Sequence, residues 1–400
     1  MTALRDVCII EFCEGVPGPL AGMRMLQLGA TVIKVEERTG DWLRSAASKM
    51  RGSDVGAAFF ELNYGKRSLL LDPQEDKAGP ILQRLLAKAD VFITDKKPSQ
   101  LERLGVTWVS TSGNAKESIY LPNPSLITVS ISAWGERGPW SNFEGSELTA
   151  QAVAGYTRYL GAHDQPARRL GADVACAGTG IFAGQAILAA LYARSRSGGN
   201  GQRITLSLLN SLLSLKSIHL AAQSDPDQYV GPRVGGASYP PEQGWKTRDD
   251  NIFFSFGGSV GATGRPGWVQ FVEEAGFTRL LDDPRFDKAG RNSTGYGADV
   301  LALKSEYEQE FARYSADELV AMIRKHGGIA ARYQSNEEAI RHEQSTALRI
   351  VRQKDDAISQ AGARVEVRAF PARFSRITTS TEGDAPALGQ HTLEILREFL

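Results

Sequence analysis

The sequence predicts an α/β protein, with a doubly wound parallel sheet in a larger domain built from both chain ends and a smaller central domain. Three observations predict it. Over the first third, short β-branched runs alternate with amphipathic stretches at the pitch of β-α-β units. Composition changes after residue 223: Gly, Pro and Tyr become frequent up to 268, and short charged helices follow to 330. Strand-like alternation then returns over 331–400 and ends in a helix, His391–Leu400. The expected division is 1–223 and 331–400 for the large domain and 224–330 for the insertion.

The elements follow in order. Val7–Phe12 reads as a buried strand, residues 15–19 (GVPGP) as a tight loop, and Leu20–Leu28 as a helix closed by Gly29. Thr31–Glu36 and Ser68–Leu71 are the next strands. A helix from about Glu75 to Lys88, a strand at Asp90–Thr94 and another at Leu126–Ser132 complete the first third. Residues 176–193 form a helix of small residues, a glycine loop spans 195–201, and 204–221 reads as a second apolar helix.

Composition narrows the function. The chain has 46 basic and 46 acidic residues, so a whole-chain electrostatic preference for nucleic acid or an anionic membrane is not expected. The longest apolar stretch, Ile181–Tyr192, is twelve residues and is interrupted by Gly184 and Gln185. A bilayer needs roughly 20 residues, so no membrane span is expected, and the N-terminus lacks the pattern of a cleaved leader. Three scattered cysteines and five separated histidines suggest neither a disulfide framework nor a metal site. A cytoplasmic enzyme is the expectation.

Few motifs carry chemistry alone. The loop at Gly15, Val16 and Pro17 joins a strand to a helix, where α/β sheets expose amides to ligands, but it is not GxGxxG and its prolines remove donors. Lys66 and Arg67 precede a strand and suit phosphate, or a solvated loop equally well. Arg103 suits either an anion contact or a surface helix. The four glycines of residues 256–264 lack the terminal Gly-Lys of a phosphate-binding P-loop. Asp173 and Cys176 stand near the N-terminus of the small-residue helix, where the helix dipole favours a thiolate or a carboxylate. Read in isolation, Cys176 is also an ordinary buried small residue.

The order of these motifs resembles the class III CoA-transferase family, which includes formyl-CoA transferase, carnitine-linked CoA-transferases and α-methylacyl-CoA racemase. The matching stretches include GPLAGMRMLQLGATVIKVE (18–36), NYGKRSLLLD (63–72), ADVFITDKKPSQLERLGV (89–106), NPSLITVSISAWGERGPW (123–140), LLDDPRF (280–286) and APALGQHTLEILREF (385–399). The resemblance implies a Rossmann-like large domain, a smaller central α+β domain, an interlocked homodimer, and CoA or an acyl-CoA as co-substrate without a metal. It places Gly15, Val16 and Pro17 against the nucleotide and Lys66 and Arg103 near the phosphates. It likens the glycine loop containing Gly257 and Gly258 to one that covers the active site.

The departures are informative. The position of the family's catalytic aspartate falls on Cys176. Ser146, beside Glu147, stands at the racemase histidine, Glu37 at a family arginine, and Asp95-Lys96 at an asparagine-aromatic pair. A thiol can accept an acyl group but has no carbonyl for CoA to attack. The expectation is therefore acyl transfer through Cys176, with Glu147, Asp173 or His163 as candidate bases. The alternatives are CoA transfer through Asp173, or a catalytically silent thioester-binding or partner subunit. These departures also admit an acyl-carrier protein as thioester donor.

Overall fold

Six strands form one parallel sheet: β1 (Cys8–Phe12), β2 (Thr31–Glu36), β3 (Arg67–Leu70), β4 (Val91–Thr94), β5 (Ile127–Ser132) and β6 (Arg203–Ser207). Their spatial order is β3-β2-β1-β4-β5-β6. The computed structural model describes residues 2–50, 53–110, 118–119, 122–157, 166–224, 243–256, 264–286, 300–350, 352–354, 364–367, 370–380 and 382–400. Parallel strands need crossovers, and these contain α1 (Pro17–Gln27), α2 (Ala57–Asn63), α3 (Ala78–Lys88), α4 (Pro98–Arg103), α5 (Glu147–Val153) and α6 (Val174–Arg196). The order reverses between β1 and β4, which opens a crevice beyond the C-terminal ends of those two strands.

Both faces of the sheet bury apolar side chains, because successive strand residues point to opposite sides and apolar residues occupy both sets. Ile9, Val32 and Ile93 pack with Met23 of α1 and Ala183 and Ile187 of α6. Their neighbours Ile10, Ile33 and Phe92 pack with Leu82, Leu85 and Leu86 of α3, and with Ile395 and Phe399 of the C-terminal helix, Thr392–Phe399. The chain end thus returns to the first sheet.

Contacts divide the chain into two compact units. One comprises Met1–Tyr156, Arg169–Leu215 and Glu343–Leu400, and the other Thr157–Arg168 and Lys216–His342. The second unit has a three-stranded antiparallel sheet (Trp245–Lys246, Asn251–Ser255, Ile329–Arg332) and the helices Arg265–Glu274, Val300–Phe311 and Ala316–Lys325. Its core is aromatic: Phe254, Phe256, Phe271, Phe277, Phe286 and Phe311 are buried around Tyr307, whose hydroxyl accepts a 2.9 Å bond from Trp268 Nε1.

Two expectations are corrected. Residues 204–221 are not one helix: they begin in β6, whose register runs beside β5, and α7 (Leu208–Leu215) starts only after Ser207. Ile204 and Leu206 pack against the core of the first sheet, so tertiary pairing overrides the helical reading. Nor is 331–400 strand-rich among the described residues. Asn336–Arg341 is a helix opened by a Ser335/Glu338 capping box, a start signal present in the sequence.

Candidate active site

A cavity of about 790 Å³ lies in the first unit, and its lining includes Gly15, Val16, Pro17, Asp95, Lys96, Glu147, Asp173 and Cys176. β1 delivers the loop. Gly15 has φ +74°, a conformation open to glycine, and its amide donates to the Asp41 carboxylate at 3.1 and 3.2 Å. The Glu14 amide donates to Asp95 Oδ2 at 2.9 Å, tying the end of β1 to the end of β4 across the crevice.

Beneath that loop lies a buried set of charges. Lys34 and Glu11 are cross-strand partners, and Lys34 Nζ lies 3.2 Å from Glu11 Oε1 and 2.9 Å from Asp41 Oδ2, all fully buried. Lys66 was expected at phosphate, yet its ammonium is fully buried and uses its three protons on Glu11 Oε2 (2.7 Å), Pro19 O (3.0 Å) and Asn63 Oδ1 (2.9 Å). It supports the loop from below and does not line the cavity. Arg67 is likewise engaged elsewhere, with Glu394 at 3.0 Å and Glu398 at 2.8 Å on the C-terminal helix. Arg103 is exposed, and its Nε donates to Ser99 O at 3.3 Å. Gly257, Gly258 and His163 lie outside the described residues.

The other wall is the N-terminus of α6. Glu147, the first residue of α5, accepts the Ala175 amide at 2.8 Å on Oε1 and the Cys176 amide at 2.7 Å on Oε2. Gln151 Nε2, one turn along α5, donates to Glu147 Oε1 at 2.8 Å. Burial alone would lift the Glu147 carboxyl, but the donors from Gln151, Ala175 and Cys176 outweigh it and hold it below its ordinary value. The thiol of Cys176 is raised, first by burial, then by the adjacent Glu147 carboxylate and the charge of Asp173. A thiolate favoured by the helix end was the expectation. For the thiol the structure opposes it, because Cys176 is half-buried and Glu147 already occupies the positive end of α6 and repels a second anion. Val174 N bonds to Ala172 O and Ala177 N to Asp173 O, so the first turn of α6 has no free amide to act as an oxyanion hole.

Asp173 differs. It occupies the N-cap position of α6 without a side-chain cap bond, is exposed, and lines the cavity. Ser146 caps α5 by accepting from the Thr149 amide at 3.4 Å. Sequence reading missed two features: Glu147 as the cap of a different helix, for which the Glu147/Gln151 spacing was the available signal, and Lys96 as a cavity cation.

The profile of CoA-transferase family III matches residues 4–392. The chain belongs to CoA-transferase family III. It is 31% identical over 304 residues to a formyl-CoA:oxalate CoA-transferase of Streptomyces avermitilis, covering 71% of this chain and 69% of that protein. A succinate–glutarate CoA-transferase of Agrobacterium fabrum is 26% identical over 407 residues, covering 99% and 95% of the two chains. A CaiB/BaiF family protein of Brucella suis has the same fold, with a TM-score of 0.80 over the whole of both chains at 24% identity. As a family III member the chain is a transferase, and the family's substrates are small-molecule CoA thioesters.

Proposed function

We propose that this family III enzyme moves CoA between carboxylic acids, with the Asp173 carboxylate as nucleophile and Cys176 as a neutral thiol beside it. One contrast carries the reading. The Cys176 thiol is half-buried beside the Glu147 carboxylate, and burial and that charge oppose its ionisation, whereas Asp173 is exposed in the cavity with no side-chain cap bond. Asp173 attacks the donor carbonyl, the C–S bond breaks, and an acyl-aspartyl anhydride and CoA thiolate result. The thiolate attacks the aspartyl carbonyl, releasing the donor acid and leaving an enzyme-CoA thioester. An acceptor carboxylate reverses the two steps and restores Asp173.

A second reading has its own support: Glu147 accepts the Cys176 amide, so its carboxylate stands beside the thiol. Cys176 would then take the acyl group as a thioester, with Glu147 as base. A homodimer completes the reading, in keeping with the family resemblance.

Intact-protein mass after brief incubation with a panel of acyl-CoAs separates the two. CoA transfer predicts an added CoA, less one water, on wild type and Cys176→Ala, and none on Asp173→Asn. An added acyl group that disappears in Cys176→Ala would overturn it in favour of the cysteine acyl-enzyme.

A further inference from the structure

Three aromatic rings line the cavity: Trp42, Trp134 and Phe143. Trp42 and Phe143 are 59% and 60% exposed, so two large apolar faces stand open to whatever enters. The rings are held in place all the same. Trp134 meets Trp140 edge to face, with 4.9 Å between centroids, and its Nε1 donates to the Glu144 carbonyl at 3.2 Å. A Cβ at Gly145 would come within 2.9 Å of the Trp134 ring, so glycine lets the backbone pass close behind it. The Trp140 ring in turn lies 6.4 Å from that of Phe143. Trp42 lies against the loop after β1: a Cβ at Gly15 would come within 3.1 Å of its indole nitrogen, and Asp41 accepts the amides of both Gly15 and Leu43.

The charges of the cavity are already paired with one another. Its lining has seven carboxylates and two cations, Lys96 and Lys97. Lys96 Nζ lies 3.0 Å from both Glu14 and Glu37, and Lys97 Nζ lies 2.5 Å from Glu144. Glu136 pairs with Arg203 at 2.6 Å. Asp95 accepts the Glu14 amide, and Glu147 accepts those of Ala175 and Cys176. Of the seven carboxylates, Asp173 and Glu102 stand outside these pairs. Every acceptor acid brings one carboxylate, which reacts at Asp173. A dicarboxylate brings a second, and among the described lining residues no cation can receive it without a pair being broken. An uncharged ring breaks none, and offset or edge contacts with three aromatic faces favour it.

Resting on the CoA-transfer reading, we infer that the acceptor is an aromatic monocarboxylic acid. Its ring lies among Trp42, Trp134 and Phe143 while its carboxylate attacks the aspartyl thioester at Asp173. With acetyl-CoA as donor and phenylacetate as acceptor, the products are acetate and phenylacetyl-CoA. Oxalate, succinate and glutarate, which name the relatives above, are all dicarboxylates, and this chain is set apart from them.

The test is the initial rate of CoA transfer from acetyl-CoA and from succinyl-CoA to phenylacetate, hexanoate, glutarate and 4-(trimethylammonio)butanoate, with the new acyl-CoA separated by liquid chromatography. Wild type should show a kcat/KM at least about tenfold higher for phenylacetate than for each of the other acids. Phe143→Ala and Trp42→Leu should each raise the KM of phenylacetate relative to that of hexanoate by about fivefold, the effect of losing one aromatic contact, and Phe143→Tyr should keep the wild-type ratio. If any other acid comes closer than tenfold, or the ratio is unchanged in both variants, the assignment falls while CoA transfer stands. Variants that raise the KM of acetyl-CoA instead would overturn it by placing the rings against the adenine of CoA. Variants that change only the sedimenting mass would overturn it by placing them against a second copy. Transfer to none of the acids from either donor would overturn the CoA-transfer reading and the assignment with it.

Discussion

Burial and the charge of the neighbouring Glu147 carboxylate together keep the Cys176 thiol protonated. Glu147→Gln removes that charge, lowers the Cys176 pKa and enlarges the thiolate fraction at fixed pH. Alkylation by iodoacetamide at pH 8 should be faster than in wild type, by about tenfold for each pKa unit recovered; equal rates would show that Glu147 does not control the thiol. Asp95 gives a second prediction. It is open to the cavity yet crowded by protein, and that burial pushes its carboxyl up to about 6, more than Lys96 offsets. Below that pH it is neutral and the cavity loses one negative charge. Acetyl-CoA affinity should therefore rise as pH falls from 7 to 5.5, and the Asp95→Asn variant should lose that slope. Residue by residue, legibility followed distance along the chain. Asp173 and Cys176 declare their neighbourhood because one helical turn joins them. Lys66 could not, since its partner Glu11 is 55 positions away and a lysine before a strand reads the same whether it meets phosphate or a buried carboxylate.

α1 rests on the buried charges of β1 and β2 because it carries glycine where they pass. A Cβ at Gly22 would lie 2.0 Å from Glu11 Oε2, and one at Gly18 would lie 2.1 Å from Cys13 Sγ. Glu11 serves Lys34 with one oxygen and Lys66 with the other. Glu11→Ala leaves Lys66 without its carboxylate in a dry site and should cost about 3–5 kcal/mol, measured by urea unfolding at pH 7. The exposed Arg38 pairs with Asp72 and Glu75 should prove nearly silent in the same assay, since water screens them. The strands β1, β2, β4 and β5 were legible because each is a β-branched run bounded by turn residues. β6 was not: five residues joined directly to an apolar helix give one continuous apolar stretch, and only pairing with β5 divides it.

At the scale of the whole molecule, α6 poses the remaining question. Its 23 residues are long and apolar enough, by length and composition alone, to cross a membrane, although the sequence showed only a shorter, interrupted run. One side packs into the first unit through Gly180, Ala183, Ile187 and Ala190, and a Cβ at Gly180 would come within 2.7 Å of Pro17 O in α1. A second stripe faces outward: Ile181, Leu188 and Tyr192, spaced seven and four residues apart, are 57%, 39% and 69% exposed. A second copy of the chain covers such a stripe under the homodimer proposal, whereas a membrane role would leave it for lipid. Sedimentation in detergent-free buffer distinguishes the two: the dimer reading expects a particle of twice 43.4 kDa. The double variant Ile181→Glu/Tyr192→Glu should then shift toward single-chain mass while its far-ultraviolet circular dichroism stays unchanged, because both side chains lie outside the core of the unit. A wild-type chain that sediments as one copy, or that needs detergent to remain in solution, would remove the dimer and leave the stripe to another surface.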